Sequence, residues 1–194
     1  VHVPSLLVRV SGGQGDDVLS ADGSDPGVVR LIFDGEGGDD TITGSIVNDT
    51  IRGGDGDDVV LGSPGQNTVH GEDGDDDLAG GDGDDQISGG PGFDTLNGDA
   101  GNDTLSGNDD RDLLIGGHDD DHLDGGRGRD TLNGKAGDDS LFGGEGTDRM
   151  YGGIGNDTLD GGRDNDSIYG NSGDDQLIGD HGNDSMKGGR GDDT

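Results

Sequence analysis

The sequence predicts a solenoid, one small unit stacked along an axis, and three observations predict it. From Gly35 to Lys187 a nine-residue unit repeats seventeen times without insertion or deletion; residues 80–88, GGDGDDQIS, show it. Its first position is Gly in all seventeen copies and its sixth is Asp in sixteen, the exception being Asn67. Its eighth is apolar in all seventeen, from Ile42 and Ile51 through Leu123 and Leu132 to Met186. Only 24% of the chain is hydrophobic, so composition does not place an apolar residue at one phase seventeen times running. Buried positions and ligand positions can therefore be read by phase.

The consensus, G-G-x-G-x-D-x-apolar-x, resembles the calcium-binding nonapeptide of the RTX (repeats-in-toxin, hemolysin-type) family, and the resemblance covers residues 12–20 and 35–194. It implies an all-β fold, a right-handed parallel β-roll of about nine coils with two units per coil. It also implies that the first six residues of a unit form a turn holding Ca²⁺ and the last three a short strand. The residues support this. A glycine-rich turn bearing Asp can bring several backbone carbonyls and one carboxylate onto a hard cation that takes six to eight oxygens. In a strand, position eight points inward while positions seven and nine point outward, which leaves a core one side chain thick.

Composition alone points elsewhere. Leu, Ile, Val and Phe make up 38 of 194 residues and the formal charge is −34, values typical of a disordered chain. A ligand reconciles period with composition. If turns two units apart share a Ca²⁺, Asp17, Asp40, Asp58, Asp76, Asp94, Asp112, Asp130, Asp148, Asp166 and Asp184 of the odd-numbered units line one edge. Asp49, Asn67, Asp85, Asp103, Asp121, Asp139, Asp157, Asp175 and Asp193 of the even-numbered units line the other. That arrangement gives roughly 15 to 17 Ca²⁺ ions, whose charge nearly cancels that of the chain.

Along the chain, residues 1–11 suit an extended cap covering the first coil. Residues 12–20 are the first unit, and ADGSDPGVVRLIFD breaks phase, with a loop at Gly23 to Gly27 and a longer strand from Val28 to Phe33. Residues 1–34 thus form a capping strand, first repeat and irregular coil, followed by one continuous array over 35–194. Because the irregular segment replaces one unit, Asp17 should share an edge with Asp40. The fourth position is Gly except at Val47, Asp110, Asp119 and Asp164; if it needs a positive φ, Asp adopts it at modest cost and β-branched Val fits poorly. Val47 and Asn67 place the weakest turns on the even edge, between residues 44–49 and 62–67. The start lacks a signal-peptide layout and the end stops before an eighth position, which suggests a piece of something longer.

Other chemistries are disfavoured. Without cysteine no disulfide framework offsets the small core, and 11 Lys and Arg scattered among 45 acids make no basic stripe for nucleic acid or anionic membrane. No apolar run is long enough to span a bilayer. His118 and His122 fall at positions three and seven of one unit and share no face, and no catalytic motif is present, so no enzyme site is expected. Position-five acids such as Asp57, Asp84 and Asp138 read as solvated. Threonines at position seven read as strand formers rather than an ice-binding ladder, since Asp77, Leu113 and Arg149 interrupt them. The outward residues of the odd units, Val59, Leu61, Ala79, Leu113, Ile115, Tyr151 and Tyr169, are more apolar than those of the even units, which suggests lateral contact with another module or a second copy.

The functional expectation is a calcium-binding structural module of a secreted or cell-surface protein that folds where calcium is plentiful, with type I secretion implied by the resemblance. A calcium-rigidified adhesin spacer or filament subunit, and an accessory domain of a secreted hydrolase or epimerase, are the alternatives.

Overall fold

The computed structural model describes residues 6–20 and 28–194. Two ten-stranded parallel sheets enclose the interior. The even sheet runs from Leu6–Gln14, Val28–Gly37 and Asp49–Asp55 to Gln176–Ile178; the odd sheet runs from Val18–Ser20 and Thr41–Thr43 to Ser185–Arg190. The chain alternates between sheets, and each regular strand pairs with the one 18 residues away, as in the register Asp77, Thr95, Leu113. The architecture is a parallel β-solenoid of about nine turns.

The segment Leu6–Gln14 is the terminal strand of the even sheet, aligned with Val28–Gly37 from Leu6↔Val28 to Gln14↔Gly37. Residues 1–5 of the expected cap and the expected loop at Gly23 to Gly27 lie outside the described residues. The longer strand expected at Val28 is present and reaches Gly37. Asp17 does share an edge with Asp40, whose Oδ1 accepts its N–H at 2.7 Å.

Strand length departs from expectation. From Thr68–Asp73 to Ser167–Ser172 each strand has six residues, positions seven to nine plus the first three of the next unit. The Gly-Gly-x stretch stays in the ladder, as Asp99↔Gly81 and Ala100↔Asp82 show, so only positions four to six turn the chain. Sequence phase marks the inward side chain of a strand but not where its backbone pairing stops.

Every eighth-position residue from Ile42 to Ile168 is buried, forming a single file along the axis, with Leu31 and Phe33 added by the irregular coil. Met186, in the last strand, is 52% exposed. Each fully buried Leu or Ile contributes about 1.5–3 kcal/mol. On the odd sheet Leu61 and Leu113 are exposed, and Tyr151 stacks on Tyr169 with ring centroids 5.2 Å apart.

Leu123 is fully buried, whereas its neighbour His122 is exposed. Leu123→Asp should lower the stability of the folded chain by more than about 3 kcal/mol, because a charge replaces an aliphatic group in a core one residue thick. His122→Asp should cost less than about 1 kcal/mol. Thermal unfolding of the two variants in calcium checks this, and equal losses would reverse the assignment of inward and outward positions.

Candidate metal centre

The sixth-position aspartates stand in two buried rows, one along each edge. Each backbone N–H donates to Oδ1 of the aspartate one coil further on. On the odd edge this chain runs Asp40, Asp58, Asp76, Asp94, Asp112, Asp130, Asp148, Asp166, Asp184 at 2.8–3.0 Å. On the even edge it runs from Asp85 through Asp103, Asp121, Asp139, Asp157 and Asp175 to Asp193 at 2.8–3.2 Å. Each carbonyl accepts the position-seven N–H of the next coil, as Asp76 does from Thr95 at 2.8 Å. One polar atom per aspartate is left. Oδ2 is buried without a donor in 14 of the 18 aspartates that the sequence nominates: Asp40, Asp58, Asp76, Asp85, Asp94, Asp103, Asp112, Asp121, Asp130, Asp139, Asp148, Asp157, Asp166 and Asp175.

Backbone oxygens converge on the same places. A Cβ built on Gly143 would lie 2.7 Å from Asp148 Oδ2 and 2.6 Å from the carbonyl oxygen of Gly161 on the next coil. The first-position glycine is thus required by lack of space, since any side chain would displace the carboxylate. Asn67 identifies further oxygens. Its Nδ2 donates to the carbonyls of Ser63 at 3.0 Å, Gly65 at 3.2 Å and Gly80 at 3.3 Å, where an aspartate would present Oδ2. Carbonyls from positions two and four of one turn and position one of the next coil therefore surround this atom. Among the described residues no three carboxylate or imidazole groups gather on one point. A centre built of carbonyls with one carboxylate oxygen suits a hard cation such as Ca²⁺.

Burial makes this arrangement costly when the oxygens are unpaired. Desolvation, reinforced by aspartates on adjacent coils, pushes Asp121 up to about 8 from the ordinary 3.8. It pushes Asp76, Asp103, Asp112, Asp148 and Asp157 up to about 7. Asp58, Asp85, Asp94, Asp130 and Asp139 rise to about 6. Two ionised neighbours one strand spacing apart, about 4.8 Å, repel by about 3 kcal/mol at an effective dielectric constant near 20. A positive charge beside each Oδ2 removes both penalties.

Four nominated aspartates differ. Asp17 and Asp184 are half-buried and Asp193 is exposed, all near the ends of the stack. Asp49 is buried, but its Oδ2 accepts the Ser45 N–H at 2.6 Å. The turns at 44–49 and 62–67 are thus closed by the chain's own donors. The Asn67 amide reaches towards the 80–85 turn, so the irregularity takes in the next interval along the edge as well as the one between 44–49 and 62–67. The positive φ anticipated at position four occurs at Asp110, Asp119 and Asp164, while Val47 avoids it and its turn takes another course. Position two also takes positive φ, at Glu36, Lys135 and Asn171 among others, which the mixed residues there gave no reason to expect.

The position-five acids are not merely solvated, as their phase had suggested. Their Oδ1 atoms accept the position-five N–H of the next coil, Asp57 from Asp75 at 3.0 Å and Asp138 from Asn156 at 2.7 Å, forming an outer ladder beside the buried row. The recurrence of Asp and Asn at that position was the available signal. His118 and His122 belong to strands of opposite sheets and are both exposed.

Residues 9–25, 34–69, 61–96, 97–132, 124–159 and 160–194 match the RTX calcium-binding nonapeptide repeat, a pattern described as four copies. No curated protein matches the chain. With the repeat matched over nearly its whole length, the chain belongs to the family of RTX calcium-binding nonapeptide repeat proteins.

Proposed function

We propose that this chain is a calcium-responsive structural module of a secreted or cell-surface protein, extended where calcium is scarce and folded where it is abundant. The observation that carries this reading is the set of 14 buried carboxylate oxygens without a donor, with a backbone carbonyl of the next coil close by at sites such as Asp58, Asp112 and Asp148. Calcium, when bound, supplies positive charge and accepts these hard oxygens as ligands. The aspartates hold successive coils together through N–H and Oδ1 and present Oδ2 and the glycine carbonyls inward. The count of such oxygens supports about 14 ions, slightly fewer than the sequence suggested, or about +28 against the formal −34. A second reading, a spacer or self-associating subunit, is favoured by the exposed Leu61 and Leu113 and the stacked Tyr151 and Tyr169 on the odd sheet.

Proton release distinguishes folding on binding from binding to a preformed roll. The aspartate pKa values are raised in the cation-free roll, so their contribution favours that roll below about pH 4 and is lost as pH rises through about 6 to 8. In the extended chain the same groups, with pKa near 3.8, are already ionised at pH 7. Calcium addition at pH 7 should therefore release less than about one proton per chain, measured calorimetrically in buffers of different ionisation enthalpy, with Mg²⁺ a poor substitute. Release of several protons would mean that the roll forms without calcium.

Asn67→Asp exchanges a donor for an Oδ2 like that of Asp85. Native mass spectrometry of the calcium-loaded chain should count one more ion than in the wild type. An unchanged count would show that the amide does not stand in a ligand position.

A further inference from the structure

The outer ladder skips one rung on the even edge, at the Asp84 N–H beside Gln66, and is broken over four successive coils on the odd edge. Twelve position-five N–H groups donate to an Asp or Asn oxygen on the neighbouring coil. On the odd edge the run Asp16, Asp39, Asp57, Asp75 ends with the N–H of Phe93 and resumes only between Asn165 and Asn183. Between them position five is Phe93, Arg111, Arg129 and Thr147, one per coil, and none offers a side-chain acceptor in this ladder. The N–H groups of Arg111, Arg129, Thr147 and Asn165 consequently have no acceptor among the described residues.

The substitutions do more than remove oxygens. Arg111, Arg129 and Arg149 line one cleft of about 90 Å³ together with Thr131, Thr147 and Ser167. None of the three arginines forms an ion pair among the described residues, whereas Arg127 and Arg163, on the other sheet, both pair with Glu145. The space is that of about three waters. Asp130 and Asp148 also line the cleft, but both are buried, with Oδ1 taken by N–H donors of the adjacent coil and Oδ2 turned towards Gly125 and Gly143. A second cleft of about 390 Å³ continues from Arg111 past Phe93 and Leu113.

We propose that this break is a binding site for an oxyanion of the sulfate or carboxylate type, whose oxygens replace the missing Asp and Asn oxygens against the N–H groups of Arg129, Thr147 and Asn165. Arg111 and Arg129, on successive coils, supply planar, charge-assisted donors, and Arg149 with the hydroxyls of Thr131, Thr147 and Ser167 completes the cleft. The Phe93 and Leu113 side gives the organic part of a larger anionic ligand an apolar surface. The site rests on the proposed calcium function, because a chain of charge −34 repels anions until bound cations offset that charge. Anion binding and calcium binding are then coupled, each strengthening the other.

The test is a titration of the calcium-loaded wild-type chain with inorganic sulfate, and separately with acetate, at fixed ionic strength, followed by backbone amide NMR. Calcium-induced circular dichroism is read first, so that loss of the calcium response counts against the proposed function and loss of the anion response in a folded chain against this site. The amide signals of Arg129, Thr147 and Asn165 should shift saturably, and the Arg111→Gln/Arg129→Gln variant should need at least about tenfold more anion. Arg129→Asp, which restores a ladder oxygen already used on other coils, should abolish the response, and Arg163→Gln should leave it unchanged. A folded wild type without shifts at these amides, or a double variant with wild-type affinity, would overturn the proposal.

Discussion

The structure depends on a carboxylate that is tied down on one side and left open on the other. Each sixth-position aspartate spends its N–H, carbonyl and Oδ1 joining one coil to the next, and these bonds draw Oδ2 into the edge of the roll, where 14 such oxygens meet no donor. The ladder that stacks the coils is thus the ladder that concentrates negative charge. Buried, like-charged neighbours at strand spacing are tolerable only when a counter-charge or a proton neutralises them. The first-position glycine follows from the same geometry, since a Cβ would occupy the space between Oδ2 and the carbonyl of the following coil.

The apolar core beside these charged edges is slender. It is a single file of residues such as Leu96, Leu105, Leu114 and Leu123, one per half turn, between edges lined by buried acids. Hydrophobic burial fixes which side of each strand faces inward and hence the register of 18 residues. On the proposed reading, the charge on the edges decides whether that register forms. The two turns that escape this dependence are informative: Ser45 donates to Asp49, and the Asn67 amide donates to three carbonyls, so the chain itself supplies positively polarised hydrogen at places where other turns present only oxygen.

What sequence made legible was phase. The inward file from Ile42 to Ile168 and the two aspartate edges follow from counting in nines, because each depends on a local alternation that repeats, and the common edge of Asp17 and Asp40 follows from letting the irregular segment stand for one unit. What depends on the neighbouring coil was not legible. The strands extend through the Gly-Gly-x stretch because those residues pair 18 positions away, and the outer ladder of position-five oxygens arises from the same stacking. The direction of the Asn67 amide rests on a rotamer choice among carbonyls of two coils, which no single unit encodes. Lys135 and Glu72 at positive φ show the same thing, since the close approach of adjacent coils imposes a conformation their side chains do not favour.

The central claim is that bound cations, not the apolar file, hold the roll closed. Far-ultraviolet circular dichroism of the purified chain, first in excess chelator and then through a calcium titration, tests it most directly. The account predicts a disordered spectrum in chelator and a cooperative appearance of β structure as calcium reaches extracellular concentrations. A β-rich spectrum that persists in chelator at neutral pH would contradict it.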